Sequence, residues 1–374
     1  PGGMGKTRLA LEVAARLTPL FEDGACFIPF ESVSAPELMV PAMAEALGYR
    51  FSGQDSRTEL LNYLKNKHML LVLDNLEHLL ADTSLVTDLL AKAPKLKLLA
   101  TSREHLNLQA EWLFDLEGMQ LPEGGAAESQ KTDSVKLFVQ GAKKARAGFT
   151  LDNQNLGATL QLCRQVGGMP LALELAASWL RILSTQEVLE ELEQDMGILQ
   201  TSTSDLPERH LDIHKVFEAS WSRLPLGAQV ALQKLAVFEG GFTKEAAFEI
   251  TGASLGLLAS LIRKSLLRIL PSGRYDRHPL IYQYTQEKLF RSGEVQKQLE
   301  KLHARYFCQL ANETRSHLLG QEQVKYLRQL EAEHDNFRLA LAWSAKNAIE
   351  LLVDLAGALG WFWYMRSHFS EARE

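Results

Sequence analysis

The chain is poor in cysteine: only Cys26, Cys163 and Cys308 occur in 374 residues, far apart and in apolar contexts. That excludes a disulfide framework and a cysteine-rich zinc site, and buried free thiols in a reducing cytosol are expected instead. No apolar run reaches the ~20 residues of a membrane-spanning helix; even 351–364 (LLVDLAGALGWFWY) is too short. A cytoplasmic protein without a membrane partner is therefore expected. Excess positive charge is also missing. The formal net charge is −6 and the pI about 6.0, so no global basic field points to nucleic acid or a lipid surface. No fixed repeat is visible in the C-terminal stretch. What is present is 46% hydrophobic and 23% charged residues, a globular balance. Two to four domains of ~100–200 residues are expected at this length.

The chain opens on Pro1-Gly2-Gly3-Met4-Gly5-Lys6-Thr7. This is the phosphate-binding pattern G-x-x-x-x-G-K-[ST] without its leading glycine. Glycines let consecutive backbone N–H groups turn inward around phosphate oxygens, and the following helix adds the positive end of its dipole. Gly2, Gly3, Met4, Gly5, Lys6, Thr7 and Arg8 are the candidate nucleotide-binding residues. Lys6 suits the β- and γ-phosphates of ATP, and the Thr7 hydroxyl suits Mg²⁺. An ordinary glycine-rich turn before a helix has the same spelling, so the rest of the site has to be found downstream. The missing glycine predicts a piece of a longer protein, without the P-loop's first strand, that binds nucleotide weakly by itself.

Downstream, the apolar run 68–74 ends in Asp74 and reads as a buried parallel strand with an acid at its C-terminal edge, where open α/β sheets bind ligands. Asp74 thus fits a Walker-B acid that holds Mg²⁺ directly or through water, the alternative being a capping residue. A helix at 76–92 and a strand at 95–100 follow, and Arg103 then fits a γ-phosphate sensor or a solvent-facing loop arginine. Helices are also expected at 5–18, 36–47 and 58–66, and strands at 25–30 and 111–116 (EWLFDL). Linkers are expected at 117–130 and 201–211, with helical pattern between them at 131–200. Residues 212–292 read as helices at 212–222, 226–237, 243–250 and 255–264, a hairpin at 266–270 and 274–277 turning on Pro271-Ser272-Gly273, and a helix at 280–291. Such helices with a trailing hairpin suggest a winged helix. Residues 294–374 look wholly helical, with Trp343, Trp361, Phe362 and Trp363 as packing residues.

Taken in order, PGGMGKTRLALEVA (1–14), LLVLDNLEHLL (70–80), LLATSRE (98–104), GGMPLALELAA (167–177), LAVFEGGFTKEAA (235–247), RYDRHPLIYQYTQEKL (274–289), EHDNFRLALAW (333–343) and LAGALGWFWYMRSHFSEAR (355–373) span nearly the whole chain. This order resembles the STAND class of signal-transducing P-loop ATPases, relatives of the NB-ARC proteins, and most closely its branch in large bacterial transcriptional regulators. The resemblance implies an α/β P-loop NTPase domain at 1–120, its first strand missing, and a helical domain at 131–204. It further implies a winged-helix domain at 210–292 and the start of an all-α superhelix resembling tetratricopeptide repeats at 293–374. It places Pro170 beside adenine and His278 against the β-phosphate of ADP, although Arg277-His278-Pro279 departs from the usual Met-His-Asp. It implies a slow ATPase acting as a switch, with Lys6, Asp74 and Arg103 as the residues at the reacting phosphate. An unknown inducer would act on the C-terminal helices, self-association would follow activation, and DNA would be bound through an N-terminal effector domain. Asn75 stands where many relatives carry a second acid, and an amide cannot accept a proton; Glu77 is the alternative.

Two other readings stay open. One takes the winged helix itself as a DNA-binding module, given Arg263, Lys264, Arg268, Arg274 and Arg277, although Glu239, Glu245, Glu249 and Asp276 interrupt them. A small-molecule kinase would need a substrate pocket with its own acid or base, and no such constellation is visible.

Overall fold

In the computed structural model, residues 1–53, 55–123, 126–200 and 212–366 are described. They form two compact units, Pro1–Val216 and Phe217–Glu374. The expected linker at 201–211 lies outside the described residues, as do 367–374 of the C-terminal helical expectation.

Three parallel strands in the order β1-β2-β3 centre the first unit: β1 (Ala25–Pro29), β2 (Leu70–Asp74) and β3 (Lys97–Ala100). The register runs from Ala25 opposite Leu70 to Pro29 opposite Asp74, and from Leu70 opposite Lys97 to Leu73 opposite Ala100. All of β2 is buried, as expected of a central parallel strand covered on both faces. Its side chains alternate. Leu71 and Leu73 enter a core with Met43, Leu60, Leu64 and Leu89 from α2 (Met39–Ala46), α3 (Ser56–Leu64) and α4 (Ser84–Lys92). Leu70 and Val72 point the other way, against Ala10 and Ala14 of α1 (Lys6–Leu17).

Two sequence expectations fail here. The helix at 76–92 is a short 3₁₀ turn, Leu76–His78, with α4 beginning only at Ser84. Asn75 adopts φ 67°, a left-handed step that ends β2; Leu76 and Leu79 fill the core from the turn, and Asp82 Oδ1 accepts the Ser84 N–H at 2.8 Å where α4 begins. The expected strand at 111–116 is not a strand. A strand exists by pairing; among the described residues this segment joins no ladder, and Trp112 and Phe114 are 97% and 81% exposed.

Residues 126–194 supply five helices: α5 (Ala126–Ser129), α6 (Asp133–Ala145), α7 (Leu156–Gln165), α8 (Pro170–Ser178) and α9 (Thr185–Gln194). Helices α6 and α8 approach closely at Gly141, where a Cβ would stand 2.8 Å from that of Ala177. A capping box of Ser184 and Glu187 opens α9. Ahead of α8, Gly168 takes φ 64°, and its carbonyl accepts the Met119 N–H at 2.8 Å. A Cβ at Gly168 would lie 2.3 Å from the Met119 carbonyl oxygen. Gly168→Ala therefore costs about 1–3 kcal/mol through strain and clash together. Urea unfolding checks this, and an unchanged midpoint would contradict it.

Helix α10 (Ile213–Trp221) crosses the division between the units. The second unit continues with α11 (Leu226–Lys234), α12 (Lys244–Ala246, continuing as a π-helical turn Ala247–Thr251) and α13 (Leu255–Arg263). A two-residue-per-strand hairpin follows, β4 (Arg268–Ile269) and β5 (Tyr275–Asp276), shorter than expected but turning where expected, with Gly273 at φ 79°. Then come α14 (Pro279–Phe290), α15 (Glu294–Arg315), α16 (Gln323–Ala332), α17 (His334–Asn347) and α18 (Ile349–Arg366). Phe238, Phe242, Phe307 and Phe337 form its aromatic centre. Phe362 and Trp363 are buried as expected, whereas Trp361 is 41% exposed and lies against Tyr364.

Polar groups lock this core. Buried Glu333 pairs with Arg274 through two contacts, the longer 3.0 Å. Asn336 accepts the Glu239 N–H at 3.0 Å and donates to the Gly241 carbonyl and to Glu333, each at 3.0 Å. The cysteines Cys26, Cys163 and Cys308 are free thiols, and burial pushes Cys163 up to about 12. Among the described residues no single helix is long and apolar enough to cross a membrane.

Candidate functional site

The parallel register brings the C-terminal ends of β2 and β3 beside the N-terminus of α1. Gly3 and Gly5 take φ 76° and 82°, the left-handed steps that turn the loop around its own backbone. Close packing restricts the neighbouring glycine too: a Cβ on Gly2 would meet Val216 Cγ1 at 2.5 Å. Met4 is buried beneath the loop. Gly5 caps α1 without a side-chain hydrogen bond, and α1 has no acid in its first turn. An uncapped helix N-terminus of this kind favours an anion.

Asp74 is buried at the edge of β2. Its Oδ1 accepts the Thr7 hydroxyl at 2.8 Å and the Thr101 hydroxyl at 2.6 Å. Thr101 Oγ1 in turn accepts the Asn75 N–H at 3.0 Å, which fixes the left-handed turn after β2. Lys6 curls over the loop and donates to the Pro1 carbonyl at 2.5 Å. Its pKa is lowered to about 8, first by burial and then by the Arg103 charge, with Glu77 and Asp74 pulling the other way. Arg103 is itself held: Nε lies 3.0 Å from Glu77 Oε1, both side chains being largely buried, and Nη1 donates to the Val216 carbonyl at 3.3 Å.

Pro170 is the first residue of α8 and stands next to the loop, its Cγ 3.9 Å from where a Gly5 Cβ would be. The adjoining Leu171 N–H donates to the Gly3 carbonyl at 3.2 Å. Arg8 points outward and pairs with Glu174 at 3.6 Å on the surface. The structure thus gathers Gly2, Gly3, Met4, Gly5, Lys6, Thr7, Asp74, Arg103 and Pro170 in the first unit, and turns Arg8 to its surface. His278 belongs to the second unit, where its Nδ1 accepts the Leu280 N–H at 3.3 Å and caps α14.

Two residues gain roles that the sequence did not reveal. Thr101 is the second hydroxyl on Asp74; the signal was its place at the end of the strand beside β2. Glu77, considered only as a catalytic acid, is the carboxylate that orients Arg103.

The site's residues also suit Mg²⁺. The Thr7 hydroxyl and the Asp74 carboxylate, whose oxygens lie 2.8 Å apart, would hold the ion directly or through water. Both are the hard oxygens that this cation takes.

No family model matches the chain. A Mycobacterium tuberculosis protein provisionally named an HTH-type transcriptional regulator is 31% identical over 383 aligned residues, covering 99% of this chain and 42% of the relative. Over nearly its whole length the chain is thus similar to a bacterial transcriptional regulator. The regulatory protein AfsR of Streptomyces griseus is 27% identical over 298 residues, covering 76% of this chain and 28% of AfsR. The chain thus spans less than half the length of these regulators. Among solved structures, a STAND protein with a tetratricopeptide repeat sensor from Pyrococcus horikoshii aligns with a TM-score of 0.29 and 16% identity, over 95% of this chain and 54% of the other.

Proposed function

We propose that the chain is the ATP/ADP-binding switch of a larger transcriptional regulator. The observation that carries this reading is the convergence of the Thr7 and Thr101 hydroxyls on Asp74 Oδ1, beneath a glycine loop that leads into an uncapped helix. Lys6 and Arg103 supply positive charge to the β- and γ-phosphates, Thr7 and Asp74 would hold Mg²⁺, and Pro170 shapes the adenine side. Bound Mg²⁺ would neutralise phosphate charge. Hydrolysis is slow on this reading. Asn75 has no carboxylate, and Glu77 is engaged by Arg103 rather than held ready to take a proton from water.

The division into an α/β domain at 1–120, a helical domain at 131–204, a winged helix at 210–292 and a superhelical sensor from 293 is part of the same proposal. So is an ADP-bound closed form secured through His278. Inverting a 1:99 population takes ~5.5 kcal/mol of differential binding. A few charge-assisted hydrogen bonds at about 1.5–3 kcal/mol each suffice. His278→Ala in the full-length protein speeds ADP release about tenfold on this account. Stopped-flow release of a fluorescent ADP measures it, and unchanged release sinks the lock.

Lys6 gives a pH signature. Its pKa of about 8 in the free site leaves it partly neutral at pH 8–9. Phosphates favour the charged form and raise the pKa, so ATP binding there takes up a fraction of a proton. At pH 6.5 Lys6 is charged in both states and contributes no uptake. Calorimetry in buffers of different ionisation enthalpy measures this, and uptake at pH 8.5 that survives Lys6→Ala contradicts it.

DNA reading by the hairpin region is not favoured. Arg268 is bonded to Asp276, Arg274 to buried Glu333, and Arg277 is buried with its guanidinium 4.4 Å from the Tyr282 ring centre. These arginines are occupied within the fold. Self-association on activation and an inducer acting on the helical region complete the proposal.

A further inference from the structure

The second unit contains a cleft of about 310 Å³ between α14, α15, α17 and the turn at Leu235–Val237. That is at the lower end of the ~300–1,000 Å³ of small-molecule sites. Leu289, Leu339 and Trp343 give it apolar walls, and Gln296, Glu300 and His303 line it from one face of α15 at i, i+4, i+7 spacing.

The polar groups in this cleft are unequally engaged. The side-chain donors of Gln286 and Asn347 are bonded to the Tyr282 hydroxyl and the Trp343 carbonyl. Gln296 donates to Glu300 Oε1 at 2.7 Å, and among the described residues no protein group donates to the other oxygen of that half-buried carboxylate. His303 is fixed by its neighbours. Asn336 must turn Oδ1 toward the Glu239 N–H and Nδ2 toward the Gly241 carbonyl, so Oδ1 also faces His303 Nε2 at 3.2 Å. An acceptor there requires the hydrogen on Nε2. Burial holds the ring neutral, its pKa lowered to about 4, so Nδ1 carries a lone pair. Inside the rim, the Glu300 carboxylate is the cleft's charged side chain. Lys346 stands at the exposed rim.

We infer that this cleft binds a small amphipathic amine, its apolar body against Leu289, Leu339 and Trp343 and its ammonium on Glu300. An ammonium has three donors, no acceptor and a charge opposite to that of the Glu300 carboxylate, whose second oxygen can accept from it. The Trp343 ring adds a face that attracts cations. Nothing in this inference depends on the nucleotide site.

The test uses the full-length protein and matched probes: phenethylamine and hexylamine, their alcohols, and phenylpropionate and hexanoate. Binding is followed by thermal shift and ligand-observed NMR. We expect saturable millimolar binding of the amines, with the alcohols and carboxylates weaker by about tenfold or more. Glu300→Gln should erase the preference for amines. Ala342→Trp, which fills the cleft from an exposed position, should abolish binding while melting like wild type. Absence of saturable amine binding overturns the proposal, as do carboxylates binding better than amines or an amine affinity unaffected by both variants.

Discussion

Lys6→Ala in the full-length protein lowers the affinity for Mg-ATP about tenfold to a hundredfold, with AMP binding little changed. The side chain stands over the loop among Asp74, Glu77 and Arg103, and its charge is only partly offset before phosphate arrives. A charge-assisted hydrogen bond is worth about 1.5–3 kcal/mol, and each 1.4 kcal/mol is about tenfold in affinity. Two effects oppose each other. Removing a buried ammonium relieves a desolvation cost in the free protein, while losing it leaves phosphate oxygens without their partner. The second effect wins for ATP because the β- and γ-phosphates carry the charge that Lys6 meets, and AMP lacks both. Fluorescence titration separates the outcomes. Equal losses for AMP and ATP would mean that the variant has damaged the loop's fold rather than a phosphate contact.

Glu333→Ala destabilises the second unit by about 3–5 kcal/mol, the cost of leaving a buried charge without its partner. Arg274 loses the carboxylate that meets two of its guanidinium nitrogens, and Asn336 loses one of its two acceptors. The effect reaches two regions at once, because Arg274 precedes β5 and Asn336 holds the Glu239–Gly241 turn. An exposed ion pair would behave differently. Glu294–Lys297, on the surface of α15, is worth no more than ~1 kcal/mol, so Glu294→Ala is the control. Chemical unfolding of the full-length protein, followed by hydrogen exchange in α15 and α17, measures both. The double variant Arg274→Met/Glu333→Leu should recover much of the loss, since it removes both charges and keeps the volume.

Much of the site was legible because its chemistry is local in sequence. The loop residues are consecutive, and a fully apolar strand ending in an acid announces Asp74 by itself. The contact between Pro170 and the loop was implied only by the resemblance; no pattern in residues 167–177 shows that Leu171 will bond to Gly3. Thr101 was missed because one hydroxyl at a strand end has no periodic signal, and its meaning comes from the neighbouring strand. The 76–92 helix failed because Leu76 and Leu79 reach the core from a 3₁₀ turn, and α4 begins only at Ser84. The 111–116 strand failed because pairing, which no segment decides alone, is absent among the described residues. In the second unit the hairpin was legible from Pro271-Ser272-Gly273. The roles of Glu333 and Asn336 were not, because their partners lie about 60 and 95 residues away.

The central claim is that Thr7 and Asp74 form the metal-binding floor of a nucleoside triphosphate site. Its most direct test is calorimetric titration of ATP into the full-length protein with and without Mg²⁺, for wild type and Asp74→Asn. Asparagine keeps the size and one acceptor oxygen but removes the charge. The account predicts that Mg²⁺ tightens ATP binding to wild type at least tenfold and leaves Asp74→Asn nearly unmoved. Equal Mg²⁺ dependence in the two proteins, or none in wild type, would contradict it.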